Sequence, residues 1–173
     1  MRDYNEIKIH EGSCDGLIDI ISHLHGKIHG EIAGLGSNFE EMVKSGLEEF
    51  ITRLAHGANN IWYCEQNNKI IASITIDGEA LGNNIAHLRW FIVDNKGQSK
   101  GLGGRLMKKA MDFCDDQGFA EVHLWTYKGL DAAKSLYLRY GFKLAEEKLG
   151  SQYGKEVIEQ IYQITLNFKS ESR

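Results

Sequence analysis

The sequence predicts a single α/β (α+β) layer domain over residues 1–173, and three observations carry that expectation. Apolar residues recur at helical spacing through the first third of the chain and then switch to strand-like runs, which marks two helices followed by a sheet. Helical and strand patterns alternate from there to the end in the order ααβββαβαββ, which suits helices packed on a mostly central sheet. The chain has 173 residues, of which 42% are hydrophobic, enough to bury about 70% of the unfolded surface around one core.

Each element follows from its local pattern. Between Asp15 and His29, Leu17, Ile18, Ile20, Ile21, Leu24 and Ile28 form an amphipathic helix. Gly30 to Ser37 contains three glycines and reads as a loop, after which Asn38 is placed to cap a second helix. That helix carries Phe39, Met42, Val43, Leu47, Phe50, Ile51 and Leu54 on one stripe, and Glu40, Glu41, Lys44, Glu48 and Glu49 on its wet face. Ile61–Glu65 and Lys69–Ile76 flank Gln66, Asn67 and Asn68, a hairpin signature. Ile85–Val93 is a third strand. Gly101–Gln117 is a helix with Leu102, Leu106, Ala110, Phe113 and Cys114 inward, stopped by Gly118. Ala120–Thr126 is a strand, Leu130–Tyr140 a short helix, and Phe142–Glu147 and Val157–Phe168 are the closing strands.

Composition narrows the function classes. Twenty Lys and Arg against 24 Asp and Glu leave a net charge of −4, so nucleic-acid binding would need a local basic patch. Neither such a stripe nor a helix-turn-helix pattern is visible, and no nucleic-acid partner is expected. No apolar run reaches the ~18–20 residues of a membrane span, and the start is too polar for a signal peptide, so a cytoplasmic protein with no membrane partner is expected. Cys14, Cys64 and Cys114 lack any metal-ligand spacing and read as buried small hydrophobes. His25 and His29 share a helix face with His23 nearby. No acidic third ligand accompanies them, which favours a solvated or substrate-lining role over a metal site.

The segment Val93-Asp94-Asn95-Lys96-Gly97-Gln98-Ser99-Lys100-Gly101-Leu102-Gly103-Gly104-Arg105 runs from a strand through a glycine-containing bend into a helix. Helix N-terminal amides and the helix dipole suit a phosphate, and glycines let it approach the backbone. The segment lacks the Lys-Ser/Thr ending of a Walker loop and the third glycine of a dinucleotide fingerprint. Gln98-Ser99-Lys100-Gly101-Leu102-Gly103 resembles the Q/R-x-x-G-x-G/A acyl-CoA loop of the GNAT acyltransferase superfamily. Leu136-Tyr137-Leu138-Arg139-Tyr140-Gly141-Phe142 resembles its LYxxxGF signature. The order of elements is similar across essentially the whole chain. Leu88–Val93, Leu124-Trp125-Thr126, Leu130-Asp131-Ala132-Ala133 and Glu159-Gln160 further resemble acetyltransferase domains fused to MarR-type regulators. At Leu130 many superfamily members carry an asparagine that contacts the cofactor, and that contact is not carried over.

The resemblance implies a mixed, twisted sheet of six or seven strands with about four helices. Two central strands, around Ile85–Val93 and Ala120–Thr126, would splay to admit acetyl-CoA. It implies N-acetyl transfer to a small-molecule or peptide amine, without a metal, and leaves a homodimer open. A strand bulge at Phe91, Ile92 and Val93 would offer a backbone amide to the thioester carbonyl. Amides of Ser99, Lys100, Gly101, Leu102, Gly103 and Gly104, with Gln98, would hold the pyrophosphate. Tyr137 matches the tyrosine that protonates the leaving thiolate, its alternative being a core tyrosine. Period-two alternation puts His87, Arg89, Phe91 and Val93 on one face. His87 is then a candidate base or a histidine satisfied in the sheet. Arg89 is a candidate contact for an acidic substrate group or a partner for a core carboxylate. The competing class is an acyl-CoA-binding sensor that does no chemistry.

Overall fold

The computed structural model describes residues 6–98 and 100–167. It is a seven-stranded mixed sheet in the order β1-β2-β3-β4-β5-β7-β6, with four helices and one additional helical turn. The chain runs β1 (Lys8–Glu11), α1 (Leu17–Ala33), α2 (Ser37–Thr52), β2 (Asn59–Gln66), β3 (Lys69–Asp77) and β4 (Ile85–Val93). It continues through α3 (Asn95–Gln98), α4 (Leu102–Gln117), β5 (Glu121–Tyr127), α5 (Asp131–Arg139), β6 (Lys143–Gly150) and β7 (Val157–Thr165). Every neighbouring pair is antiparallel except β4 and β5.

The sheet divides two apolar cores. On one face Leu106, Met107 and Ala110 of α4 pack on Ile74, Leu88, Val122 and Leu124. On the other, Ile21 of α1 and Val43, Leu47 and Phe50 of α2 pack near Ile61 and Tyr63. Burying a Leu or Ile side chain is worth roughly 1.5–3 kcal/mol, and both faces of β3 are covered from Ile71 to Asp77. The two-residue turn between β2 and β3 uses Asn67 and Asn68 at φ 52° and 60°, a left-handed pair that asparagine tolerates and that matches the twist of a hairpin.

Several local expectations change. α1 continues through Gly30 to Ala33 and stops at Gly34, which is left-handed at φ 68°. The Gly34 and Leu35 amides return to the Gly30 and His29 carbonyls at 3.0 and 3.2 Å, a closing motif that glycine favours. Gly30 sits inside the helix because the Leu35 carbonyl would lie 3.1 Å from a Cβ there. The residue before α2 is Gly36, so Asn38 falls within the first turn and does not cap. Cys64 and Cys114 are buried, but Cys14 is exposed. β1 is a short edge strand too brief for periodicity to reveal.

Candidate active site

β4 and β5 pair only through Ile85↔Glu121, Ala86↔Val122 and His87↔His123. Beyond that rung they part, and a cleft of about 740 Å³ opens between them. The splay lies between the two strands for which the resemblance implied it, inside the sheet order.

A bulge interrupts β4 at the mouth of the splay. Ser73 faces Ile92 and Thr75 faces Arg89, so Trp90 and Phe91 together oppose Ile74. The bulge thus begins one residue before the expected Phe91–Val93. Trp90 has φ 46°, a conformation that costs a bulky residue roughly 1–3 kcal/mol and persists only where its surroundings enforce it. Here the Ser73 hydroxyl donates to the Trp90 carbonyl at 3.1 Å. The Arg89 guanidinium lies 4.0 Å over the Trp90 ring, and the Phe50 ring lies 5.7 Å away. Gly46 of α2 leaves the room, since a Cβ there would stand 2.7 Å from Trp90.

The bulge also corrects the expected facing. Ala86 and Leu88 belong to the α4 core, which turns His87 and Arg89 toward α1 and α2. The extra residue shifts the alternation by one, so Phe91 and Val93 pack against the α4 core as well. His87 and Arg89 therefore lie on the opposite face from Phe91 and Val93, although all four line the cleft.

Gln98, Gly101, Gly103 and Gly104 line the cleft at the N-terminus of α4. Gly101 is left-handed at φ 68°. A Cβ at Gly103 would come within 3.3 Å of Phe91 and 3.4 Å of Leu136, whereas one at Gly104 would meet nothing within 4 Å. Leu102 is fully buried in the core and does not line the cleft. Lys100 reaches the Gln66 side chain at 2.7 Å and does not line the cleft. Ser99 lies outside the described residues.

Tyr137 of α5 lines the cleft at 6% exposure, its ring 6.2 Å from Phe91 and 5.8 Å from Tyr162. Burial raises its phenol above the ordinary value, so it stays protonated at neutral pH. His87 stacks edgewise on Trp125 at 4.7 Å. Burial and then the Arg89 charge push its pKa down to about 3, so its ring is neutral. Arg89 lines the cleft and also has a core carboxylate beside it. It pairs at 3.3 Å with Asp77, which is completely buried and also held by Arg53 at 2.9 Å. Burial alone would raise the Asp77 pKa, but hydrogen bonds from Arg53 and from the Glu79 and Ala80 amides outweigh it, and the net value is about 2.

A second group of side chains closes the α1–α2 end of the cleft: His25, His29, Phe39, Tyr127 and Tyr153. The His25–His29 spacing was legible in the sequence, while no pattern marked Phe39, Tyr127 or Tyr153 as anything but packing. His29 Nδ1 and the Tyr127 hydroxyl are 2.6 Å apart. Burial lowers His25 to about 3, helped by His29, and lowers His29 to about 4. In the unfolded chain these imidazoles protonate near pH ~6.5. Below that pH the unfolded state binds more protons, so stability falls as pH drops from ~6.5 toward the folded values. Each such histidine is expected to cost up to ~1.4 kcal/mol per pH unit in that window. Urea unfolding at pH 7.5 and 5.5 checks this, and His25→Gln should flatten the difference. An unchanged pH slope in that variant would refute the assignment. Among the described residues no group of three His, Cys, Asp or Glu could hold a metal, and no helix is long and apolar enough to cross a membrane.

The geometry has counterparts among known proteins. The profile of the acetyltransferase (GNAT) family matches residues 25–142. Human N-acetyltransferase 8B is 29% identical over 85 residues, covering 47% of this chain and 37% of its own. Rat N-acetyltransferase 8F1 is 25% identical over 119 residues, covering 67% of this chain and 53% of its own. The matches thus span about half or less of those relatives. The fold is shared with the Salmonella typhimurium protein yncA, solved with its cofactor acetyl-CoA, at TM-score 0.73 and 14% identity over 94% of this chain and 95% of that one. It is also shared with a GNAT-family acetyltransferase from Staphylococcus aureus Mu50, at TM-score 0.72 and 20% identity over 94% of this chain and 100% of that one.

Proposed function

Because the chain belongs to the acetyltransferase (GNAT) family, we propose that it is an acetyl-CoA-dependent N-acetyltransferase acting on a primary amine. One observation carries the reading: the Trp90–Phe91 bulge, Tyr137 and the glycine-bearing start of α4 all border one cleft between splayed strands. Acetyl-CoA supplies an activated acetyl thioester. The open space at Gly104 and the bare backbone from Gly101 to Gly104 suit its pyrophosphate, since an anion gains from helix N-terminal amides.

The protein's own groups then divide the work. The bulge leaves backbone without a cross-strand partner, and a preorganised amide there stabilises the oxyanion that develops as the amine nitrogen attacks. As the new C–N bond forms and the C–S bond breaks, Tyr137 gives its proton to the departing sulfur. Its raised pKa keeps that proton in place until the strongly basic thiolate appears. His87, neutral on the amine side of the bulge, offers its ring lone pair as a hydrogen-bond acceptor to the attacking amine, and since its basicity is lowered to about 3 the proton the nitrogen loses ends on solvent water and not on the ring. The short matches at Leu88–Val93 and Leu124–Thr126 favour the branch that is fused elsewhere to MarR-type regulators, and nothing in the chemistry depends on it.

Thiol release from acetyl-CoA across a panel of primary amines tests the reading. Amine-dependent release is expected. Acetyl-CoA binding without turnover on any amine would instead identify a sensor.

A further inference from the structure

The cleft has two chemically different ends. The α4 end is backbone and glycine. The α1–α2 end is a wall of rings, with every neighbour in mutual contact. His25 and His29 lie 5.5 Å apart, His29 and Phe39 5.3 Å, Phe39 and Tyr153 5.9 Å, and Tyr127 and Tyr153 6.0 Å. Most of these contacts are edge-to-face, the arrangement in which ring quadrupoles attract. They hold the wall rigid, so it is a preformed surface for another ring.

The wall also carries polar atoms that nothing in the protein satisfies. His25 is 5% exposed, and both its ring nitrogens lack a hydrogen-bond partner, as does the Tyr153 hydroxyl. His25 and Trp90 line the same cleft, and the Trp90 backbone favours the protonated ring but forms no well-aligned hydrogen bond with it. A buried imidazole without a well-formed hydrogen bond costs free energy unless a ligand supplies what is missing.

Charge is the other constraint. Among the described residues, the one carboxylate lining the cleft is Asp131, at the start of α5. The cation nearest the bulge, Arg89, is committed to buried Asp77 and stacked on Trp90. The carboxylate whose charge reaches the rings, Glu159 near Tyr153, is buried and already accepts from the Gln152 amide, so a second ammonium on the substrate would compete for it, and a substrate carboxylate would compete with Asp77 for Arg89.

We propose that the acceptor is a primary amine carried on an aromatic body with no second charge, seated on Phe39, Tyr127 and Tyr153 and hydrogen-bonded through its uncharged polar atoms to His25. This rests on the N-acetyltransferase reading above. The burial that keeps His25 and His29 neutral acts on the amine too, since desolvation disfavours its ammonium and leaves a lone pair for attack.

Three matched probes test it on the intact protein: 2-phenylethylamine, phenylalanine (the same body with a carboxylate) and spermidine. Calorimetric binding to the CoA-loaded protein is measured beside thiol release from acetyl-CoA. We expect 2-phenylethylamine to be preferred by about 10-fold or more in both affinity and kcat/KM. Phe39→Leu keeps an apolar residue but loses the ring. It should raise the KM for 2-phenylethylamine roughly three- to tenfold and leave that for acetyl-CoA unchanged. Preference for phenylalanine or spermidine, or equal binding of all three, overturns the inference while leaving acetyl transfer standing. Selective binding of 2-phenylethylamine without thiol release supports the ring wall and refutes the transferase reading instead.

Discussion

Tyr137→Phe is expected to lower kcat by roughly 10²–10⁴-fold, the range for loss of a positioned acid, with acetyl-CoA affinity unchanged. The substitution removes one oxygen and no ring. The contacts of Tyr137 with Phe91, Phe142 and Tyr162 are all ring contacts at about 6 Å, so the phenylalanine ring keeps them. Cofactor binding rests on the α4 end, which the change does not touch. What disappears is a proton that burial holds in place at neutral pH. Without it the thiolate must leave unprotonated or draw on solvent, and an acyl donor with a more acidic thiol should recover much of the lost rate. Pre-steady-state thiol release, where chemistry and not product release is measured, is the check. An unchanged kcat with an unchanged pH profile would reduce Tyr137 to packing, the alternative its sequence context left open.

How much of this was readable beforehand depended on whether the signal was local. β4 and α4 were bounded almost to the residue because a β-rich apolar run marks the one, helical spacing marks the other, and Gly118 ends the helix in its expected left-handed form. The GNAT-like glycines and the tyrosine signature were legible as a resemblance because they sit at fixed spacing, and the structure brings Gly101, Gly103, Gly104 and Tyr137 to one cleft. The facing of His87 and Arg89 relative to Phe91 and Val93 was not legible from alternation, because one bulged residue inverts it and the residue bearing the positive φ is a tryptophan, not a glycine. Only the third dimension shows why Trp90 tolerates it. Gly46, 44 positions upstream, leaves the gap that its ring fills.

The same limit hid the acceptor wall. Phe39 looked like core from its helical stripe, and it is indeed 7% exposed. Its role comes from meeting Tyr153, 114 residues later, a pairing no short-range pattern encodes. Arg89 was ambiguous for a related reason. Its partner Asp77 lies on the neighbouring strand, and the buried carboxylate is visible only once β3 is paired with β4. That pair also couples the fold to the site, because Arg89 spans Asp77 and the Trp90 ring at the bulge.

Gly104→Glu is expected to abolish measurable acetyl-CoA binding while leaving the protein as stable as before or slightly more so. Gly104 has ordinary helical backbone, unlike Gly101 at φ 68°, and a Cβ there meets no atom within 4 Å, so the change brings neither strain nor a clash. Glycine is a poor helix residue by roughly 1 kcal/mol, and a carboxylate in the first turn gains from the helix dipole. Both effects raise stability. For a pyrophosphate at the same place they turn against binding, since the new charge occupies its position and repels it. At ~5 Å and an effective dielectric near 20, each phosphate charge contributes about 3 kcal/mol of repulsion, or more than 100-fold in affinity. Calorimetric titration with acetyl-CoA and a melting curve of the same sample read the two effects separately. A variant that melts no lower and binds nothing fixes the α4 start as the cofactor's anchor. One that binds acetyl-CoA as tightly as the parent chain would move the pyrophosphate away from Gly104 and, with it, the direction in which the thioester enters the splay.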